Sequence, residues 1–167
     1  CGTAVEKREK EQWMLAITKY ADKLLEGLKE VDYIERAKVQ QENWIGRKEG
    51  INIEYQVVGS DKKIMCFTTR PDTNFGATFV VLGPEHPLVL ELSTTEYKKE
   101  VQGYLASTKN MAETERLAEG REKTGAFTGS YCVNNLNGEK MSIWISDYVL
   151  GHVGTGAVVG VPGNDLR

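Results

Sequence analysis

The sequence predicts an α+β fold with a predominantly β core, a closed β-barrel-like domain decorated with helices. Three observations carry this reading. Short strand-like stretches recur, with turn signals between them. The strands do not alternate with helices, which argues against a doubly wound parallel sheet. One amphipathic helix leads the chain, and two shorter ones interrupt the strands.

The leading helix spans residues 9–30. Trp13, Ile17, Tyr20, Leu24 and Leu28 recur there at spacings of three and four, with Gln12, Lys19, Asp22 and Lys23 among the polar remainder. Residues 31–50 read as a connector ending at Glu49-Gly50. Ile51 to Val57 alternates strictly and reads as a half-buried strand. Gly59-Ser60-Asp61 gives a turn, and Lys63 to Thr69 returns as the second strand of a hairpin. Ala77 to Leu82 is an apolar core strand closed by Gly83-Pro84. Ser93-Thr94-Thr95-Glu96 has capping-box spacing, with Tyr97, Val101, Tyr104 and Leu105 following at helical intervals. A short charged helix covers Met111 to Glu119, its acidic residues forming a solvated face. Gly125 to Asn135 reads as a strand, Asn137-Gly138 as a hairpin turn, and Lys140 to Tyr148 as the partner strand. Gly156 to Val161 is the last strand.

A chain of 167 residues is long enough for one domain with a substantial core. Its net charge of -3 excludes nucleic-acid binding through bulk positive charge. Any RNA contact must therefore be local, in a pocket or along a basic edge. No apolar run is long enough to span a membrane, and no secretory leader is visible. The three cysteines, Cys1, Cys66 and Cys132, have no metal-type spacing, and no zinc site can be assembled from them. Cys66 lies in an apolar strand pattern and reads as a buried free thiol, so a cytoplasmic setting is expected. Cys1-Gly2 opens the chain without a methionine, and a piece of a longer protein is expected.

Two runs carry the chemistry. Thr68-Thr69-Arg70-Pro71-Asp72-Thr73 places three hydroxyls, a guanidinium and a carboxylate within six residues. Pro71 fixes one dihedral and biases Arg70 towards an extended backbone, which suits a rigid polar ledge beside a cleft. Far away in sequence, Gly154-Thr155-Gly156-Ala157 leads into Val161-Pro162. Each run taken alone is also compatible with a plain turn. The pattern Gly151-His152-Val153-Gly154-Thr155-Gly156 suggests a nucleotide site, but a strand follows it where a phosphate site would use a helix N-terminus. No residue is an obvious nucleophile or strong base. His86 lies in a loop, and His152 merely adjoins the second run.

The two runs, in this order and with Asn43-Trp44-Ile45-Gly46-Arg47-Lys48-Glu49-Gly50 upstream, resemble the leucyl-tRNA synthetases of bacterial or organellar type. Val5-Glu6, Gln12-Trp13 and Tyr20-Ala21-Asp22 resemble the stretch leaving the catalytic core. Residues 43–50 resemble the lead into the inserted editing domain, and Thr68 to Phe79 its threonine-rich strand and loop. Glu85-His86-Pro87-Leu88 and Lys123-Thr124-Gly125 also fit, and Gly154 to Asp165 resembles the far wall of the pocket. Valyl and isoleucyl enzymes share the architecture, but Asp72-Thr73 and Phe75-Gly76-Ala77-Thr78 favour the leucyl branch. Two positions depart from the family pattern: Val153 stands where an aromatic residue is usual, and Asn164 where a histidine is usual.

The resemblance implies residues 1–42 as a helical segment from the synthetase core and 43–167 as an editing domain truncated at its C-terminal end. It implies hydrolysis of mischarged tRNA(Leu), with the tRNA acceptor end and the rest of the synthetase as partners. No cofactor is expected in this segment; ATP and Mg would belong to the absent synthetic core. The implied catalytic residues are Thr68, Thr69 and Arg70. The implied substrate-binding residues are Asp72, Thr73, Thr155, Val159, Val161 and Asp165, with Thr73 as the gate against leucine. The family aspartate that holds the α-amino group falls three residues past the position of Asp165, beyond Arg167, and no residue here takes its role. A tRNA-end-binding module without hydrolytic activity is the alternative from another class.

Overall fold

The structure is a computed structural model and describes Gly2 and residues 10–164. Expectations that fall on Cys1, Val5-Glu6, residue 9 and Asp165 lie outside the described residues. The chain divides into two compact units, residues 1–49 and 50–167.

In the first unit, a short 3-10 segment at Ile17–Tyr20 runs into α1 (Ala21–Gly27), and α2 spans Glu35–Ile45. The expected helix over 9–30 is thus much shorter: residues 10–16 are not helical. Trp13, Ile17, Tyr20 and Leu24 are all exposed, and of the described residues in this unit only Leu28 is buried. A short helix draws its stability mostly from packing one face, and Leu28 is the one residue of this stripe that is buried. Helix α2 falls where a connector was expected. Its residues are polar nearly all round, so apolar periodicity could not reveal it. Gly46 ends it at φ 63°, the left-handed conformation a helix stop needs, with its N–H on the Glu42 carbonyl at 2.9 Å.

The second unit holds β1 (Ile51–Gln56), β2 (Lys63–Thr68), β3 (Phe79–Leu82), β4 (Ala126–Val133), β5 (Lys140–Ile145) and β6 (Ala157–Gly160). Strands β1 and β2 form the expected antiparallel hairpin. The other four make one sheet in the order β4-β5-β3-β6, with β3 parallel to β5 and the remaining pairs antiparallel. The β4–β5 hairpin forms as expected, but not through a two-residue Asn-Gly turn: its loop runs from Asn134 to Glu139, and within it only Gly138, φ 76°, is left-handed.

No closed barrel is found among the described residues. The hairpin meets the larger sheet at one bridge, Val57 to Cys132, supported by Val58 N–H on the Tyr131 carbonyl at 2.8 Å. On its other side, β2 packs beside β6 without a hydrogen-bonded ladder. Two sheets therefore enclose one core. Tyr55, Ile64 and Cys66 meet Val80, Leu82, Met141, Ile143 and Ile145 there, all from inward positions of the period-two pattern.

Helices α3 (Val89–Leu92), α4 (Lys98–Thr108) and α5 (Glu113–Arg116) fill the stretch between β3 and β4. The expected capping box does not form. Helix α4 starts at Lys98 with no side-chain cap, and the Thr94 carbonyl accepts from Tyr97 and Lys98. Thr94 packs instead against Gly129, φ 82°, whose missing side chain leaves the space that Thr94 and Tyr97 fill. The expected helix over 111–119 is a single turn. Its buried Arg116 grips Glu85 at 2.6 Å and the carbonyls of Asp147 and Val149 at 2.6 and 2.9 Å. Glu85 Oε2 in turn accepts from Gly151 N–H at 3.3 Å, so this arginine anchors the loop that leads towards β6.

Candidate functional site

The end of β2 and the 3-10 turn Pro71–Gly76 face β6 and the residues after it across a cleft of about 300 Å³. Thr68, Arg70, Thr73 and Asn74 line one side, and Val159, Val161 and Asn164 line the other. The threonine-rich run thus meets Val159 and Val161, which follow the Gly154–Ala157 run, at one site. A larger depression of about 630 Å³ lies in the first unit among exposed charged residues such as Asp22, Glu26, Glu42 and Arg47. It is open and lined by solvated charges, whereas the smaller cleft joins polar donors to an apolar wall, the pattern of a binding site.

The polar side is built on local hydrogen bonds. Pro71 opens the 3-10 turn, where its missing N–H costs nothing. Thr68 Oγ1 accepts from Arg70 N–H at 3.0 Å, and the Thr73 hydroxyl donates to the Arg70 carbonyl at 2.9 Å. The Arg70 fork closes on Asp72 in a bidentate pair, Nε to Oδ1 at 3.0 Å and Nη2 to Oδ2 at 2.8 Å. The Arg70 guanidinium holds the Asp72 carboxyl below its usual range, and Asp72 raises Arg70 in return. Both side chains are largely exposed, so this pair shapes the ledge more than it stabilises the fold.

Asn74, which the sequence reading passed over, is buried at the base of this side. Its Oδ1 accepts from the Tyr55 hydroxyl, and its carbonyl accepts from Asn134 Nδ2 at 2.8 Å. Its own Nδ2 has no hydrogen-bond partner. Asn74 follows Thr73 directly, but nothing local distinguishes it from a solvated turn residue, because its partners lie 19 and 60 positions away. Asn164, noticed in the sequence only as a departure from a pattern, also lines the cleft.

The apolar side is held by backbone. Strand β6 pairs with β3, setting Val159 opposite Val80 and Gly160 opposite Phe79. The loop before it turns through Gly154 and Gly156, at φ 59° and 67°. Thr155 lies between them with its hydroxyl on the Ala157 carbonyl at 3.1 Å, and it does not line the cleft. Neither do Thr69 and Asp72, both exposed. Asp165 lies outside the described residues.

Among the described residues, no activated nucleophile stands at the cleft. Burial pushes the Cys66 and Cys132 thiols up to about 12, so both stay protonated. His86 is half-buried and held low by desolvation, with Nδ1 accepting from Leu88 N–H at 3.2 Å. His152 is exposed beside Glu113 at 3.5 Å. Among the described residues, no cluster of histidine, cysteine, aspartate and glutamate is arranged to hold a metal, and no helix is long and apolar enough to cross a membrane.

Residues 42–167 match the family model described as leucyl-tRNA synthetase, editing domain. The chain belongs to this family. A similar solved structure is the leucyl-tRNA synthetase of Agrobacterium radiobacter, crystallised as a ternary complex with tRNA and LeuAMS. It is 40% identical in sequence with a TM-score of 0.77, over 98% of this chain and 20% of that one. This chain therefore spans about a fifth of that synthetase's length. The editing domain contains the whole cleft, because every residue lining it falls within the matched range.

Proposed function

We propose that this chain is part of a leucine–tRNA ligase in which residues 43–167 form the editing domain and 1–42 a helical segment leading from the synthetic core. The cleft hydrolyses the ester of tRNA(Leu) carrying the wrong amino acid. The single observation behind this reading is the juxtaposition of the threonine-rich ledge with the Val159–Val161 wall across one small cleft. The reasoning is the double sieve: contacts alone discriminate one methylene by only ~1–3 kcal/mol, so a synthetic site that accepts leucine needs a second site that excludes it.

The chemistry follows from what the cleft holds. A water oxygen attacks the ester carbonyl carbon, the bond to the ribose oxygen breaks, and the proton passes to that ribose oxygen as the amino acid leaves. With no side-chain nucleophile among the described residues of the cleft, the protein's part is to place water and ester and to stabilise the oxyanion. The Thr68 and Thr69 hydroxyls bind the terminal adenosine, the ester carbonyl or the attacking water. Arg70, oriented by Asp72, presents its remaining guanidinium N–H groups. The Thr73 hydroxyl is engaged by the Arg70 carbonyl, so its contribution to the slot is steric: a stiff β-branched group facing Val159 and Val161. Asp165 completes the binding set. The acceptor end of tRNA(Leu) and the remainder of the synthetase are the partners, with ATP and Mg confined to the synthetic core. The setting is the cytoplasm.

The test is deacylation of norvalyl-tRNA(Leu), isoleucyl-tRNA(Leu) and leucyl-tRNA(Leu) by the complete encoded protein and its Thr73→Ala variant. The wild type should clear the first two and spare the third. Overpacking of leucine against Thr73 should cost roughly 1–3 kcal/mol, so Thr73→Ala should speed leucyl-tRNA hydrolysis about ten- to hundredfold. Hydrolysis of none of the three by the wild type defeats the proposal and leaves a tRNA-end-binding module. Clearance of mischarged tRNA by a Thr73→Ala variant that still spares leucyl-tRNA moves the sieve to the valine wall.

A further inference from the structure

The β4–β5 turn does more than reverse the chain. The reversal itself closes through the Asn134 backbone and the left-handed Gly138, yet three asparagine side chains of this one turn reach out to backbone carbonyls elsewhere. Asn134 Nδ2 donates to the Asn74 carbonyl at 2.8 Å, and Asn137 Nδ2 donates to the Phe75 carbonyl at 3.1 Å. Asn135 Nδ2 bonds the Glu54 carbonyl on β1 instead. The first two grips fall on adjacent residues of the Pro71–Gly76 turn, immediately after Thr73. That turn belongs to no sheet, so no ladder fixes its height above the cleft.

Asn134 is itself fully engaged. It is completely buried, its Oδ1 accepts from Leu136 N–H at 3.0 Å, and its backbone exchanges bonds with Gly138 and Glu139 at 2.8 and 2.9 Å. Its side chain is therefore locked by the hairpin and presents Nδ2 in one direction only. The hairpin is tied into the sheet by β4 and β5, so it can transmit the sheet's position to the turn.

We propose that Asn134, with Asn137, is a positioning residue for the editing cleft: it sets Thr73 and Asn74 against Val159 and Val161 from outside the site. This rests on the editing function proposed above. A gate that works by overpacking depends on placement to a fraction of an ångström, because displacements near 1 Å can cost about a hundredfold in rate. Asn134 touches no substrate in this scheme. Losing its grip lets the turn relax away from the valine wall, so selectivity against leucine falls before hydrolysis itself does.

The experiment uses three variants in the complete protein. Asn134→Asp keeps the Oδ1 acceptor that shapes the hairpin but replaces the donor facing the Asn74 carbonyl with a repelling oxygen. Asn137→Ala removes the exposed second grip, and Asn135→Ala removes the grip on β1. The amide NMR signals of Thr73, Asn74 and Phe75 should shift in the first two and stay in place in the third. The ratio of norvalyl- to leucyl-tRNA(Leu) deacylation should fall about tenfold in Asn134→Asp, chiefly through faster leucyl-tRNA turnover. It should fall less in Asn137→Ala and not at all in Asn135→Ala. Unmoved amide signals in a folded Asn134→Asp or Asn137→Ala variant overturn the grip. Shifted signals with an unchanged deacylation ratio overturn the role in selectivity. A wild type that deacylates nothing defeats the editing function, and with it the selectivity role, while the amide signals still decide the grip.

Discussion

The two walls of the cleft are held by different kinds of interaction. The valine wall is a strand in a ladder: β6 pairs with β3, and the residues around it are fixed by backbone bonds such as Thr78 N–H to the Gly160 carbonyl at 3.1 Å. The threonine wall begins at the end of β2, where Thr68 pairs with Ile51, but Thr73 and Asn74 sit on a 3-10 turn outside any sheet, held by side chains of Tyr55, Asn134 and Asn137. A ladder tolerates changes of side chain so long as its backbone path is intact. A turn held by side chains fails one residue at a time and can be adjusted from a distance. The valine wall should therefore break at glycines and the threonine wall at polar side chains.

The largest expected effect lies at Gly156, just before the valine wall. Its φ of 67° is left-handed, and a Cβ there would lie 2.5 Å from the Gly151 carbonyl oxygen, a backbone atom with no flexible end to move aside. Gly156→Ala combines a left-handed penalty of roughly 1–2 kcal/mol with overpacking of roughly 1–3 kcal/mol. Urea denaturation should show a lower midpoint at unchanged slope. A midpoint equal to wild type would mean that this wall is not held by its backbone path.

A smaller effect is expected at Tyr55, behind the threonine wall. Burial raises its phenol well above the usual range, so the hydroxyl remains a donor to Asn74 Oδ1 at any working pH. Tyr55→Phe strands a buried acceptor and should cost about 1–3 kcal/mol. In an Asn74→Leu background no acceptor is stranded, so the same change should cost markedly less. Equal costs in the two backgrounds, measured as a double-mutant cycle, would remove Tyr55 from the scaffold of this wall.

The same contrast governs what the sequence disclosed. Both hairpins were legible, because alternation and turn residues are local: Ile51 to Val57 alternates, and Asn137-Gly138 marks a reversal, though the loop is longer than that pair alone suggests. The pairing of β3 with β5 was not, since a parallel contact across some sixty residues leaves no local mark. Helix α2 was hidden by its polarity, and the capping-box spacing at Ser93 misled because the Ser93 hydroxyl donates back to the Val89 carbonyl at 2.6 Å, closing α3 rather than opening α4. At the cleft, Thr68, Arg70, Thr73, Val159 and Val161 come together on one site, while Thr69, Asp72 and Thr155 stay off its lining. Asn74 and Asn134 escaped notice for one reason. Asparagine in a turn ordinarily satisfies its own backbone, and only the folded chain reveals that these two serve a distant carbonyl and a distant phenol.

The smallest effect on stability, and the sharpest separation of shape from chemistry, is expected at Arg70. Its fork lies on Asp72 in solvent, and exposed pairs of this kind contribute little to folding. Arg70→Lys keeps the charge but cannot hold both carboxylate oxygens in one plane, so the ledge loses orientation without losing attraction. Denaturation midpoints should stay at the wild-type value while the norvalyl-to-leucyl deacylation ratio changes. The pair also has a defined pH window. Because Arg70 depresses the Asp72 carboxyl in the folded protein, the pair is fully formed above the ordinary carboxyl value near ~4. It is lost only as pH falls through the lower folded value. The Arg70 Nε–H NMR signal should accordingly be constant from neutral pH down to that range and move below it. A signal that titrates nearer pH 6, or a Lys variant with reduced stability and unchanged selectivity, would make Arg70 a structural residue and leave the threonine wall to Thr73 and its supports.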